Sequence, residues 1–140
     1  MTILYTAEAL ATGAGRNGHT RTKDGHVDLD LAVPVEMGGA GGAANPEDLF
    51  AAGYAACFHS ALQLVARRAR VELGESSVGA RVGIGPTSGG GFGLEVALEV
   101  IIPDLPADQA QQLADAAHQV CPYSNATRGN IPVTVTVAAD

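Results

Sequence analysis

At 140 residues the chain has the length of one domain, expected to span residues 1–140, and 46% hydrophobic with 16% charged residues is the balance of a globular protein. A net charge of -7 with no cluster of Lys and Arg argues against nucleic acid, whose phosphates require such a cluster. With 4% aromatic residues and no Trp, the core must be packed from Ala, Val, Leu and Gly, and so short a chain buries only a modest share of its surface, so a partner is expected.

The first eight residues, Met1 to Glu8, carry no basic leader followed by an apolar run, and no stretch reads as the roughly 18 apolar residues of a membrane span. A cytoplasmic protein without membrane attachment is the expectation. Cys57 and Cys121 are the two cysteines. In a reducing compartment such a pair reads as free thiols or a redox couple rather than a structural staple, and the sequon Asn125-Ala126-Thr127 reads as idle.

In chain order, Ile3 to Leu10 alternates weakly and predicts a strand, followed by a glycine-rich turn from Thr12 to Gly18. His19 to Gly25 reads as a turn and a strand. Val27 to Val33 alternates strictly and predicts a half-buried strand ended by Pro34, paired as a hairpin with the first. After the Gly/Ala loop Gly38 to Ala44, Asn45 is a good helix N-cap, Pro46 suits the first helical position and Asp48 stands where a carboxylate meets free amides. From Leu49 to Ala66 nearly every residue is small or apolar, which predicts a helix covered on most sides and fading after Arg67, Arg68 and Arg70. Val78 to Ile84 and Gly93 to Ile102 predict a second hairpin around Ser88 to Gly91. Asp104 to Cys121 returns to helical spacing, with Leu113, Ala114, Ala117, Val120 and Cys121 on one face, and Pro122 ends it. Pro132 to Val137 predicts a closing strand. The order of elements predicts an α+β fold, helices packed against antiparallel sheet.

Three apparent motifs do not carry their usual chemistry. Gly13-Ala14-Gly15-Arg16-Asn17-Gly18 matches the dinucleotide fingerprint, but no helix follows to receive a pyrophosphate. Cys121-Pro122-Tyr123-Ser124 is similar to a glutaredoxin active-site run, yet the Cys is expected to close a helix, where the dipole has the wrong sign for a thiolate. His19, His26, His59 and His118 are scattered without metal-ligand spacing, so no metal is expected. His118 lies one turn before Cys121 and could act on it; a partly exposed helix histidine is the simpler reading.

Buried cysteines are often no more than small hydrophobes, and composition leaves that alternative open for Cys57 and Cys121. The run Asn45 to Phe58 together with Val120-Cys121-Pro122-Tyr123-Ser124-Asn125-Ala126-Thr127-Arg128-Gly129-Asn130 resembles the organic hydroperoxide resistance branch of the OsmC/Ohr family, as do Thr12 to Gly18 and the loop Met37 to Gly42. The resemblance implies an OsmC-like fold, antiparallel sheets packed on two central helices in an intertwined homodimer. It further implies a thiol peroxidase acting on organic hydroperoxides, fatty-acid hydroperoxides included, in oxidative stress defence. Cys57 is then the peroxidatic thiol, Cys121 the resolving thiol, and Arg16 with Glu47 the pair that activates Cys57. No bound cofactor is implied, but a dithiol co-substrate is: dihydrolipoamide carried on a lipoylated partner protein.

The residue chemistry agrees with that assignment. A thiolate in an apolar helix needs a cation, which Arg16 can supply while Glu47 holds its guanidinium. Ten residues of helix separate Glu47 from Cys57, about 15 Å of rise. Either Arg16 spans part of that gap or the pair serves the cysteine of the other chain, the arrangement favoured at this point. Leu49, Phe50 and Phe58 are expected to offer an apolar surface suited to a bulky peroxide, and Arg128 to anchor the loop after Cys121.

Overall fold

Asn45 and Asp48 cap each other. The Asp48 N–H donates to Asn45 Oδ1 at 2.8 Å, and the Asn45 N–H donates to Asp48 Oδ2 at 3.3 Å, so two amides with no helical partner are satisfied reciprocally. From this box runs the longest element of the computed structural model, helix α1 (Pro46–Arg68), continuous through all 23 residues. The structure describes residues 1–138. They fall into two compact units, Met1–Leu49 and the remainder from Phe50, with α1 starting in the first.

The first unit is a three-stranded antiparallel meander, β1 (Ala9–Thr12), β2 (His19–Thr22) and β3 (Asp28–Asp30), in that spatial order. Two sequence expectations change here. The first strand begins at Ala9 rather than Ile3, and the expected hairpin partner, β3, lies beyond β2 instead of beside β1. Residues 1–8 form no regular element, and Ile3, Leu4 and Tyr5 stand exposed. After β3 the chain bridges Leu31 to Ala44 in parallel, which delivers the backbone to the start of α1.

The second unit contains β4 (Ser77–Pro86), β5 (Phe92–Ile101), α2 (Ala107–Val120), α3 (Pro122–Thr127) and β6 (Val133–Val137). β4 and β5 form the expected hairpin, closed by Gly90 in the left-handed region with its N–H on the Thr87 carbonyl. β6 joins the free edge of β5 in parallel, so this sheet is mixed and not purely antiparallel as expected. Parallel neighbours cannot be joined by a tight turn, and α2 and α3 supply the crossover. The inner face of β5, Val96, Leu98 and Val100, packs with Tyr54, Phe58 and Leu62 of α1 and with Ala110, Leu113, Ala114 and Ala117 of α2. Among the described residues the fold is α+β, two sheets with three α-helices.

α1 departs from expectation in what covers it. Within this chain only Tyr54, Phe58, Ala61, Leu62, Val65 and Ala66 are buried, one stripe at i, i+4, i+7 and i+8, while Ala52, Ala56, Ser60 and Gln63 are exposed. Its uniformly apolar sequence reflects more surface than this chain covers. By length and composition α1 could cross a membrane, contrary to the reading that no stretch qualifies. A third of its most apolar stretch is buried in the chain's own core, with Tyr54, Phe58 and Leu62 fully enclosed by it.

Candidate active site

Cys57 occupies the fourth turn of α1, and Cys121 sits where α2 ends. Both thiols are free, and the Cys121 Sγ–H donates to Cys57 Sγ across 3.6 Å. The structure thus brings together two sequence-predicted residues 64 positions apart. Cys121 is wholly buried and Cys57 half-buried, so of the two sulfurs only Cys57 is open to a solute. Burial pushes the Cys57 thiol above its ordinary range. The backbone N–H of Tyr123 favours the anion and acts against that rise, whereas Cys121 adds to it.

Cys121 does more than close a helix. It is the C-cap of α2 and, with Pro122 at the next position, the N-cap of α3, so the sequence argument that it stands only at a negative helix end is corrected. Pro122 does stop α2, as expected, but it also starts the six-residue turn that carries Tyr123 and Ser124. Arg128 is structural, as its sequence position suggested: it donates to the His118 carbonyl at the end of α2 and to Asn125 Oδ1.

Arg16 and Glu47 meet within the first unit. Arg16 lies in a single 3-10 turn, Gly15–Asn17, between β1 and β2, where Gly13 and Gly15 take positive φ values that a side chain would disfavour. Asn17 Oδ1 accepts the Val33 N–H at 3.0 Å and ties the turn to the strand exit. From there both terminal nitrogens of Arg16 donate to the two carboxylate oxygens of Glu47, each at 2.7 Å. These hydrogen bonds hold the Glu47 carboxyl below its usual range against the opposing effect of burial.

That depression has a pH signature. Because the folded value is the lower one, the contribution of Glu47 to stability is complete above the unfolded carboxyl value, about 4.3, and disappears as pH falls through the folded value. The stability gap between the parent and Glu47→Gln is therefore expected to be constant from neutral pH to about pH 5 and to narrow below about pH 4. Denaturation curves across that range read it; a gap unchanged at the acid end would mean the pairing contributes nothing.

Phe50 and His118, singled out in the sequence, and Tyr54, Tyr123, Ser124 and Thr127, which were not, link the helices that carry the two cysteines. Phe50 and Tyr123 stack with ring centres 5.9 Å apart, and Tyr54 meets Tyr123 edge-on at 5.6 Å. Gly53 lies beneath the Tyr123 ring, where a Cβ would come within 3.1 Å of its hydroxyl, which accounts for a glycine inside a long helix. Tyr54, Ser124 and Thr127 form a buried hydroxyl cluster joined by His118. One signal was available: Tyr54 precedes Cys57 by three residues, and Ser124 follows Cys121 by three. Phe58, expected to face a substrate, is instead fully buried in the core. A cleft of about 530 Å³ in the first unit, lined by Leu10, His19 and Arg21 among others, contains none of the four predicted site residues.

Residues 39–136 match the family model described as OsmC-like protein. The chain is 54% identical over 138 residues to the organic hydroperoxide resistance protein of Xanthomonas axonopodis pv. citri, covering 97% of this chain and 96% of that one. A crystal structure of an organic hydroperoxide resistance protein from Elizabethkingia anophelis, with thiocyanate bound, is 54% identical with a TM-score of 0.95 over 100% of both chains. That of OhrB from Bacillus subtilis is 43% identical with a TM-score of 0.88, covering 97% of this chain and all of the other. With its fold and whole length matched in this way, the chain belongs to the OsmC family, among the organic hydroperoxide resistance proteins.

Proposed function

We propose that this protein detoxifies organic hydroperoxides as a two-cysteine thiol peroxidase. The observation that carries the reading is the 3.6 Å contact between a half-buried and a fully buried free thiol. The Cys57 thiolate attacks one peroxide oxygen, the O–O bond breaks, and the alkoxide leaves to become the alcohol, with Cys57 as sulfenic acid. Cys121 then attacks that sulfur; the S–S bond forms, the S–O bond breaks, and the thiol proton departs with the hydroxyl as water. A dithiol reductant, dihydrolipoamide on a lipoylated protein in this reading, reopens the disulfide by exchange.

Arg16 supplies the cation. Burial holds the Cys57 thiol above its ordinary range, so attack at neutral pH requires a positive group beside it. Glu47 aims the guanidinium through two 2.7 Å bonds. The active form is a cytoplasmic homodimer in which the pair serves the partner's cysteine. The exposed Ile3, Leu4, Tyr5 and Leu10, and the uncovered Ala52 and Ala56 face of α1, support a second chain as their cover.

Thiol counting after one equivalent of tert-butyl hydroperoxide tests the reading. The parent is expected to lose both thiols per chain, Cys57→Ser none, and Cys121→Ser to stop at sulfenic acid or overoxidise. A parent that keeps both thiols would make the protein a non-catalytic binding module with packed cysteines. Equal rates with hydrogen peroxide and an alkyl hydroperoxide would remove the organic preference while leaving the peroxidase chemistry.

A further inference from the structure

We infer that Tyr54, Ser124 and His118 form a positioning clamp for the second chemical step, disulfide formation; the inference rests on the peroxidase reading above. Tyr54 Oη lies 2.9 Å from Ser124 Oγ and 3.1 Å from Thr127 Oγ1, and Ser124 Oγ lies 2.8 Å from His118 Nδ1. The Thr127 hydroxyl donates to the Ser124 carbonyl at 3.3 Å. Tyr54 and Ser124 are completely buried, and Thr127 nearly so. Each of the three main members stands three residues from a sulfur. Tyr54 precedes Cys57 on α1, His118 precedes Cys121 in the last turn of α2, and Ser124 follows Cys121 on α3.

The proton count closes fully when His118 Nδ1 is the donor. If His118 Nδ1 donates to Ser124, then Ser124 donates to Tyr54, Tyr54 to Thr127 and Thr127 to the Ser124 carbonyl, with no donor left over. If Nδ1 accepts, Tyr54 donates to Ser124 and Ser124 to His118, and the one Thr127 proton serves either Tyr54 or the Ser124 carbonyl, so the Tyr54–Ser124–His118 links survive either imidazole tautomer. Apolar side chains of similar shape would fill this space without desolvating any hydroxyl. What hydrogen bonds add is direction: apolar contacts allow α1 to turn or slide against α3, whereas these bonds hold one register.

The second step needs that register. The Cys121 sulfur must approach the Cys57 sulfur along the S–O bond that breaks, and a displacement of about 1 Å can cost on the order of a hundredfold in such a step. Peroxide attack makes no such demand on Cys121. The Tyr123 N–H on α3 also favours the Cys57 anion, so the clamp acts more strongly on resolution than on the first oxidation.

Tyr54→Phe keeps the ring and removes its hydroxyl. Mixed rapidly with tert-butyl hydroperoxide and followed by sulfenic-acid trapping and intact mass, it is expected to form sulfenic acid within about twofold of the parent rate. Disulfide formation should slow about tenfold, with more overoxidised Cys57 at high peroxide. His118→Leu should behave likewise, and His118→Asn, whose amide nitrogen stands where Nδ1 does, should recover the parent rate. An unchanged condensation rate in Tyr54→Phe, or equal slowing of both steps, would overturn the clamp. If Tyr54→Phe does not fold, the His118→Leu and His118→Asn pair decides by the same rates. A parent that forms no disulfide overturns the peroxidase reading itself, a result read on different protein.

Discussion

Arg16→Lys is expected to lower the rate constant for consumption of an alkyl hydroperoxide by about a hundredfold or more while leaving the chain folded. The substitution keeps the charge and removes the planar fork that now reaches both Glu47 oxygens at 2.7 Å. Two effects combine in the loss and can be separated. A thiol at the ordinary value of about 8.5 is roughly 3% ionised at pH 7, so full ionisation gains about 30-fold. Burial raises the Cys57 value further and enlarges that gain. In the proposed mechanism the second effect is charge placed where the alkoxide develops, which does not depend on the thiol's ionisation. Stopped-flow rates for the parent, Arg16→Lys and Arg16→Ala, taken from neutral pH to above the thiol's own value, divide them. The ionisation deficit disappears at high pH, and the expected residue is a deficit of at least tenfold in Arg16→Ala. If the Arg16→Lys rate equals the parent's throughout, the guanidinium geometry is irrelevant to the chemistry.

Gly18→Ala is expected to destabilise the protein by about 2–3 kcal/mol, a fall in Tm on the order of 10 °C. A Cβ on Gly18 would stand 2.2 Å from the Thr12 carbonyl oxygen and 2.9 Å from the Ala14 nitrogen. Both are backbone atoms of the same turn, which cannot yield as the end of a flexible side chain would. The turn they build is the one that presents Arg16, so folded Gly18→Ala should also be a poorer peroxidase. Gly15→Ala is the control. Its Cβ would meet nothing within 4 Å, and only the strain of φ +61° opposes it, about 1 kcal/mol. Thermal melts of the three proteins read the difference; a Gly18→Ala variant that melts with the parent would mean the turn readjusts freely.

Local chemistry accounts for what the sequence alone determined. Asn45, Pro46 and Asp48 specify the start of α1 through contacts three residues apart, and the observed reciprocal cap uses those same atoms. β4 and β5 were legible from their alternation around a glycine turn, because a hairpin writes its partner into the adjoining residues. The four candidate site residues were legible only through resemblance; nothing in spacing brings Arg16 to Glu47, or Cys57 to Cys121.

Tertiary structure decided the rest. A parallel neighbour carries no local signature, since α2 and α3 intervene between β5 and β6 and the edge that receives β6 is chosen by the core beneath it. Which stripe of α1 is buried was equally hidden, because a helix apolar all round gives periodicity nothing to distinguish. The hydroxyl cluster of Tyr54, Ser124 and Thr127 belongs with these: spacing from the cysteines marks Tyr54 and Ser124 at most as neighbours of a sulfur, and only the meeting of α1 with α3 makes the three mutual partners. The sequence by itself determined those local elements whose information lies within a few residues, the start of α1 and the β4–β5 hairpin among them. Only the folded chain decided which sulfur is open and which enclosed, because exposure and contact between residues 64 positions apart are properties of packing.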